Sequence, residues 1–223
     1  MFDRICIAID GPASSGKGTV ARTVAKTLNY AYIDTGAMYR SVALLAEEND
    51  VAWTDEAGVT DLIEQMHFDF KWDGDQLRVL VNGTDISERI RMERIGRGAS
   101  DVSTYAGVRA GLVERQRALA DGGGVVMDGR DIGSVVLPKA KLKVYLDATV
   151  AERAKRRFLE LQNRGQDVSL AIIEAEITAR DDQDKNRTES PLRQAHDAVY
   201  IDSTALSPAQ AAQRIVELVR SNA

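Results

Sequence analysis

ICIAIDGPASSGKGT, residues Ile5 to Thr19, is the stretch on which the rest of the chain turns. Ile5, Cys6, Ile7, Ala8 and Ile9 form an unbroken apolar run, as expected of a short strand buried on both faces within a parallel sheet. The run stops at Asp10. Gly11 and Gly16 then stand five apart, with Pro12, Ala13, Ser14 and Ser15 between them and Lys17, Gly18 and Thr19 behind. That is the spacing of a phosphate-binding loop. Small residues let successive backbone N–H groups turn toward phosphate oxygens, and a helix beginning at Gly16 aims its positive end at them. Lys17 adds a mobile point charge that follows a phosphoryl group as it moves. It is expected in a solvated loop, supplying charge rather than packing. The whole run from Gly11 to Thr19 is therefore a candidate site for a nucleoside triphosphate. The pattern asks for Ser or Thr directly after the lysine, to hold Mg²⁺. Here Gly18 follows and the hydroxyl arrives only at Thr19, which counts against a GTPase or a motor ATPase.

At 223 residues the chain has room for one sizeable α/β domain with an insertion. Its 44% hydrophobic and 28% charged content is that of an ordinary water-soluble globule. A net charge of −5 argues against a nucleic-acid binder, so any cationic site must be built locally from clustered arginines. No run approaches the length of a membrane span, and the first residues lack a signal-peptide pattern. A single cysteine, Cys6, falls in the first strand and has a packing role. The histidines and the cysteine are too scattered for a zinc site, and no direct protein ligand set for a metal is expected. A cytoplasmic monomer without nucleic acid or membrane partners is the expectation.

Further strands are expected at Ala31 to Ile33, Val125 to Met127, Leu142 to Leu146 and Val199 to Ile201, each followed by helical periodicity. Five short strands alternating with helices predict a doubly wound parallel sheet, with ligands at the carboxyl ends of the strands. Acid and glycine recur at those ends: Asp10-Gly11, Asp34-Thr35-Gly36, Asp128-Gly129-Arg130-Asp131, Asp147 and Asp202. One region breaks the pattern. Phe68 and Phe70 alternate with polar residues, Asp73-Gly74-Asp75 has turn chemistry, and Leu77, Val79 and Val81 alternate again up to Asn82-Gly83. This predicts an antiparallel β-hairpin in an inserted subdomain over about 61–91, within a single domain whose core is 1–60 and 92–223. Helix is expected over 95–119, broken near Tyr105 to Gly107, and again from about Val168 to Asn186.

Three groups carry the chemistry. Thr35, Tyr39 and Arg40 follow the second strand, where an arginine fork can take a dianionic phosphate. Asp128, Arg130 and Asp131 crowd the end of the third, and Asp128, after an apolar run, can hold a magnesium-bound water or fix an arginine. Arg180, Asp184 and Arg187 share one face if the helix runs through them. With Arg153, Arg156 and Arg157 on the preceding helix, they suggest a short helical lid over polyphosphate, about 153–187.

GKGT resembles the loop of the nucleoside monophosphate kinases, in which the metal is held largely through water and substrate phosphates. GPASSGKGT, DTGAMYR, DGRDIG at Asp128 to Gly133 and RDDQDKNR at Arg180 to Arg187 together resemble the bacterial cytidylate kinases over nearly the whole chain. The resemblance implies a P-loop NTPase-type fold and a reaction of ATP with CMP or dCMP, giving ADP and the diphosphate, with Mg²⁺. It implies that Thr35, Arg109 and Asp131 meet cytosine, that Arg40, Arg130 and Arg187 take the CMP phosphate, and that Ser100, Arg180 and Asp184 serve the ribose. Lys17, Asp128, Arg130 and Arg187 would be the catalytic groups, and Arg153 and Arg157 would join the loop in holding ATP. The family often has Ser where Thr35 stands, and Arg where Gln183 and Lys185 stand, so this lid is less cationic. A kinase of another small acceptor (UMP, dTMP or a non-nucleotide alcohol) and a nucleotide-gated binding protein are the rival readings.

Overall fold

The computed structural model describes residues 4–74 and 76–221. Strand β1, Cys6–Asp10, ends where the apolar run ends, and helix α1, Lys17–Leu28, begins after Gly16. Gly16 has φ +85°, a left-handed turn that costs glycine nothing and most residues a clash. Gly11 is required for a different reason. A Cβ there would lie inside contact distance of the Leu146 carbonyl oxygen.

β2, Ala31–Asp34, leads into α2, Thr35–Glu48, whose N-cap Asp34 accepts from the Ala37 N–H at 2.9 Å. Asp55 caps α3, Glu56–Glu64, in the same way. Then come β3 (Phe68–Asp73), β4 (Gln76–Val81), β5 (Thr84–Asp85), α4 (Glu93–Val102) and α5 (Ala106–Leu119). β6, Val125–Gly129, passes into a π-helical turn, Ile132–Val136, followed by β7, Leu142–Asp147. α6 (Val150–Asn163), α7 (Leu170–Asn186), β8 (Val199–Asp202) and α8 (Pro208–Ser221) complete the chain. Ser207 and Gln210 cap α8 reciprocally, the Ser207 Oγ accepting from the Gln210 N–H and the Gln210 Oε1 accepting from the Ser207 N–H.

The large sheet has five strands in the order β2-β6-β1-β7-β8, parallel as the sequence predicts. Its central residues Ile7, Ala8, Ile9, Val126 and Met127 are fully buried, so the functional loops hang from a rigid floor. The insertion is a three-stranded antiparallel sheet, β3-β4-β5, rather than a two-stranded hairpin. Asn82 and Gly83, both at positive φ, turn the chain back into β5. Phe68, Phe70 and Trp72 oppose Val81, Val79 and Leu77 on one face. Asp75, from the expected turn, lies outside the described residues.

The chain divides into two compact units. One runs to Tyr32 and resumes at Gly122; the other is Ile33–Asp121 and contains the small sheet together with α2 to α5. The break in the expected long helix falls between Val102 and Ala106, just ahead of the predicted place, where Ser103 Oγ donates to the Ser100 carbonyl. Within α4, Gly98 packs against Trp53, whose indole N–H is anchored on the Ala43 carbonyl at 2.9 Å.

Two glycines on one helix give a paired test of this packing. A Cβ at Gly98 would stand 2.5 Å from the Trp53 ring, whereas one at Gly96 meets nothing within 4 Å. Gly98→Ala should lower stability by about 1–3 kcal/mol, and Gly96→Ala should raise it by roughly 0.5–1 kcal/mol. Denaturant titration of both variants measures the difference; equal effects would be incompatible with this packing.

Candidate active site

In the first unit the phosphate loop is held by its carbonyl oxygens. Lys17 Nζ donates to the Pro12 carbonyl at 3.0 Å, Arg153 Nη1 to the Ala13 carbonyl at 3.0 Å, and Arg156 Nη1 to the Ser15 carbonyl at 3.2 Å. Cations thus take three backbone acceptors of the loop. Lys17 is not in a solvated loop as expected. It is the first residue of α1 and only 8% exposed, and its ammonium turns back on the Pro12 carbonyl. Burial, with the positive charge of Arg130 beside it, pulls its pKa down to about 7 against the pull of Asp128.

Asp128 lies one strand over from Ile9 in the sheet, buried, and accepts from the Tyr32 hydroxyl at 2.8 Å. Its other oxygen is 3.9 Å from where a Cβ on Gly18 would be, and the Tyr32 hydroxyl is 3.3 Å from that point. The missing side chain at Gly18 therefore leaves a polar space bounded by a phenol and a carboxylate. Nothing in the sequence marks Tyr32 for this place: it reads as one more residue of a buried strand.

Arg130 leaves the end of β6 and donates from Nε to Asp184 Oδ2 at 2.7 Å. Arg187 stands 4.0 Å from the other Asp184 oxygen and 3.9 Å from Asp131 Oδ1, and its Nε donates to the Ser190 carbonyl at 2.7 Å. Burial by itself would raise the Asp184 pKa; the charge and hydrogen bond of Arg130, with Arg180 and Arg187, hold it below the ordinary carboxylate range. Arg130, Asp131, Arg180, Asp184 and Arg187 thus meet as the sequence reading requires, but not on one helical face. α7 stops at Asn186, and Arg187 continues in extended conformation (φ −61°, ψ 143°). The turn lets its guanidinium reach back to Asp184 and Asp131.

The lid arginines separate into distinct roles. Arg153, expected against ATP, is 3% exposed and binds Asp181 bidentately, at 3.1 and 2.5 Å, while its Nε donates to the Ala148 carbonyl. It ties α6, α7 and the phosphate loop together. Arg157 pairs with Glu160 at 3.0 Å and borders a cleft of about 470 Å³. Ser14, Gly16, Thr19, Arg22 and Arg156 line the same cleft. Arg156, named in the sequence only as a companion on α6, also donates to the Ser203 carbonyl at 2.6 Å and so joins the end of β8 to the loop. No sequence pattern distinguishes these arginines, which differ only in where α6 points each one.

In the second unit Thr35 is the buried first residue of α2, and Arg40 lies near Gly36 on the same turn of helix. Arg109 is buried, with its guanidinium carbon 5.8 Å from the Tyr39 ring centroid and Nη1 donating to the Ser103 carbonyl at 3.4 Å. Ser100 stands on α4 just before that carbonyl.

Residues 7–221 match the family profile described as Cytidylate kinase. The chain is 46% identical over 219 residues to a cytidylate kinase of Bacillus subtilis, covering 98% of each sequence. It is 46% identical over 203 residues to one of Geobacter sp., covering 91% of this chain and 87% of that relative. Among solved structures, an uncharacterized protein from Eubacterium ventriosum superposes with TM-score 0.55 at 12% identity, over 97% of this chain and 99% of the other, a likeness of fold alone.

The depressed Lys17 pKa gives a signature of polyphosphate binding. With a pKa of about 7 in the free protein, Lys17 is roughly nine-tenths neutral at pH 8. A bound polyphosphate favours the ammonium and restores the proton. ATP binding at pH 8 should therefore take up close to one proton, at pH 5.5 almost none, and affinity should weaken as pH rises above 7. Calorimetry in buffers of different ionisation enthalpy measures the uptake; an enthalpy independent of buffer at pH 8 contradicts it.

Proposed function

The chain belongs to the cytidylate kinase family, and on that premise we propose that it transfers the γ-phosphoryl group of ATP to CMP or dCMP, as a monomeric cytoplasmic enzyme. The observation that carries the reading is the placing of Lys17, Asp128, Arg130, Arg180 and Asp184 in one electrostatic neighbourhood beside the phosphate loop. Such a loop alone would suit many nucleotide-binding proteins. A second, arginine-bearing anion site in the same unit is what phosphoryl transfer adds. The same observation disfavours a nucleotide-gated binding protein, which has no use for it.

In this reading residues 11–19 hold the ATP phosphates, and the cleft bordered by Arg156 and Arg157 takes the remainder of the donor. Thr35, Tyr39, Arg40, Ser100 and Arg109 serve the monophosphate, in one kinase domain that includes the inserted sheet. Arg130 and Arg187 bear on the CMP phosphate and Asp131 on its base, with Arg180 and Asp184 on the ribose. The attacking CMP phosphate is already an anion, so no general base is needed; positioning and neutralisation supply the rate. Lys17 follows the moving phosphoryl group. Mg²⁺ would screen the donor phosphates. The Asp128 carboxylate beside Gly18 has the chemistry to hold a metal-bound water, and the Tyr32 hydroxyl orients that carboxylate. Arg153, locked to Asp181, supports the loop from behind rather than touching ATP.

A coupled ADP assay with CMP, dCMP, UMP and dTMP as acceptors tests the reading; comparable turnover of UMP or dTMP would overturn the cytosine assignment. Lys17→Ala should abolish transfer with the circular-dichroism spectrum retained. Cytosine offers an amino donor at the edge where uracil offers a carbonyl. Asp131→Ala should therefore cut kcat/KM for CMP by about 10- to 150-fold, the value of a hydrogen bond to a charged group, and for UMP much less. Equal losses on both acceptors would mean that Asp131 serves the arginines instead of the base.

A further inference from the structure

Asp10 is the last residue of β1, directly before Gly11, and the proposed reaction assigns it nothing. It is 3% exposed. One carboxylate oxygen accepts from the Ile132 N–H at 2.7 Å and the other from the Gly133 N–H at 2.8 Å. Those are the first N–H groups of the π-helical turn that follows Arg130 and Asp131. The turn has no slack. A Cβ on Gly133 would stand 3.3 Å from Asp10 Oδ2 and 3.1 Å from Lys143 Cδ, so it is pressed between β1 and β7.

A plain cap for two N–H groups does not need a charge, and here the charge is costly. Burial pushes the Asp10 pKa up to about 7, and nearby Asp131 adds to the rise, against the two N–H bonds and Lys17. What a carboxylate provides is two equivalent acceptors on one short, stiff side chain. Its Cα is shared with the phosphate loop, and its bonds lie one and two residues beyond Asp131. We propose that Asp10 is a positioning residue for phosphoryl transfer, fixing Arg130 and Asp131 in register with the phosphate loop through the backbone of Ile132 and Gly133. The proposal rests on the cytidylate kinase reading above.

Asp10→Asn tests it at nearly constant shape, since the amide keeps one acceptor and turns an NH₂ group against the other backbone N–H. The Arg130–Asp131 segment should loosen while the loop keeps its own arginine and lysine tethers. The expected result is a fall of about tenfold in the ratio of kcat/KM for CMP to that for UMP, a raised KM for CMP, and a Kd for ATP within about twofold of the wild type. A role confined to stability would lower Tm and leave the selectivity ratio unchanged at 25 °C, and that result overturns the proposal. Asp10→Ser, smaller and uncharged, is read in the same way if the Asn variant does not fold; failure of both to fold marks Asp10 as structural and also overturns it. The wild-type control separates the two levels of inference. Wild-type protein without CMP-dependent ADP release refutes the kinase reading itself, whereas an active wild type with unchanged selectivity in the variants refutes only the role of Asp10.

Discussion

A buried ammonium at the positive end of a helix is an unfavourable arrangement, and the site depends on it. Lys17 begins α1, where the helix dipole already repels a cation, and Arg130 lies close enough to depress its pKa further. Asp128 and Asp184 pull the other way, so carboxylates of the first unit already offset part of that cost. Ile7, Ile9 and Met127, fully buried in the sheet, anchor the strand ends that carry these groups.

The tethers around that centre differ in burial and in how their charges are shared. Arg153 and Asp181 form a buried bidentate pair that links α6, α7 and the Ala13 carbonyl. Removing one partner of such a pair costs roughly 3–5 kcal/mol, because a charge is left buried without its counter-ion. The pair thus suits a hinge point better than a contact that must form and break. Arg130 and Arg187, by contrast, share one carboxylate, Asp184, at 2.7 and 4.0 Å. That carboxylate lies on α7, so the helix is tied through Asp184 to the residue that follows β6.

Much of the architecture was legible because it follows from local rules. The apolar run up to Ile9, the glycines at 11 and 16 and the acids at strand ends each act within a few residues of themselves. The alternation from Phe68 to Val81 announced an antiparallel element in the same way. Its third strand was missed because β5 has only two residues, Thr84 and Asp85, and carries no period of its own. The reach of Arg187 needed the structure for a related reason: the shared face holds only if the helix runs through it, and α7 ends at Asn186, where the sequence predicts its end.

The sequence by itself determined the sheet, the phosphate loop and the family, since each is written in short motifs whose spacing is set by the geometry of the backbone. Which partner each charged group takes was decided by tertiary structure. Tyr32 meets Asp128 across 96 positions, Asp10 meets Ile132 across 122, and Arg153 meets Ala13 across 140. Arg153, Arg156 and Arg157 are nearly adjacent in the chain, yet one grips Asp181, one joins Ser15 to Ser203 and one borders the cleft with Glu160. A helix turns about 100° per residue, so neighbours in sequence face different surroundings, and those surroundings exist only once the sheet has brought distant strand ends together.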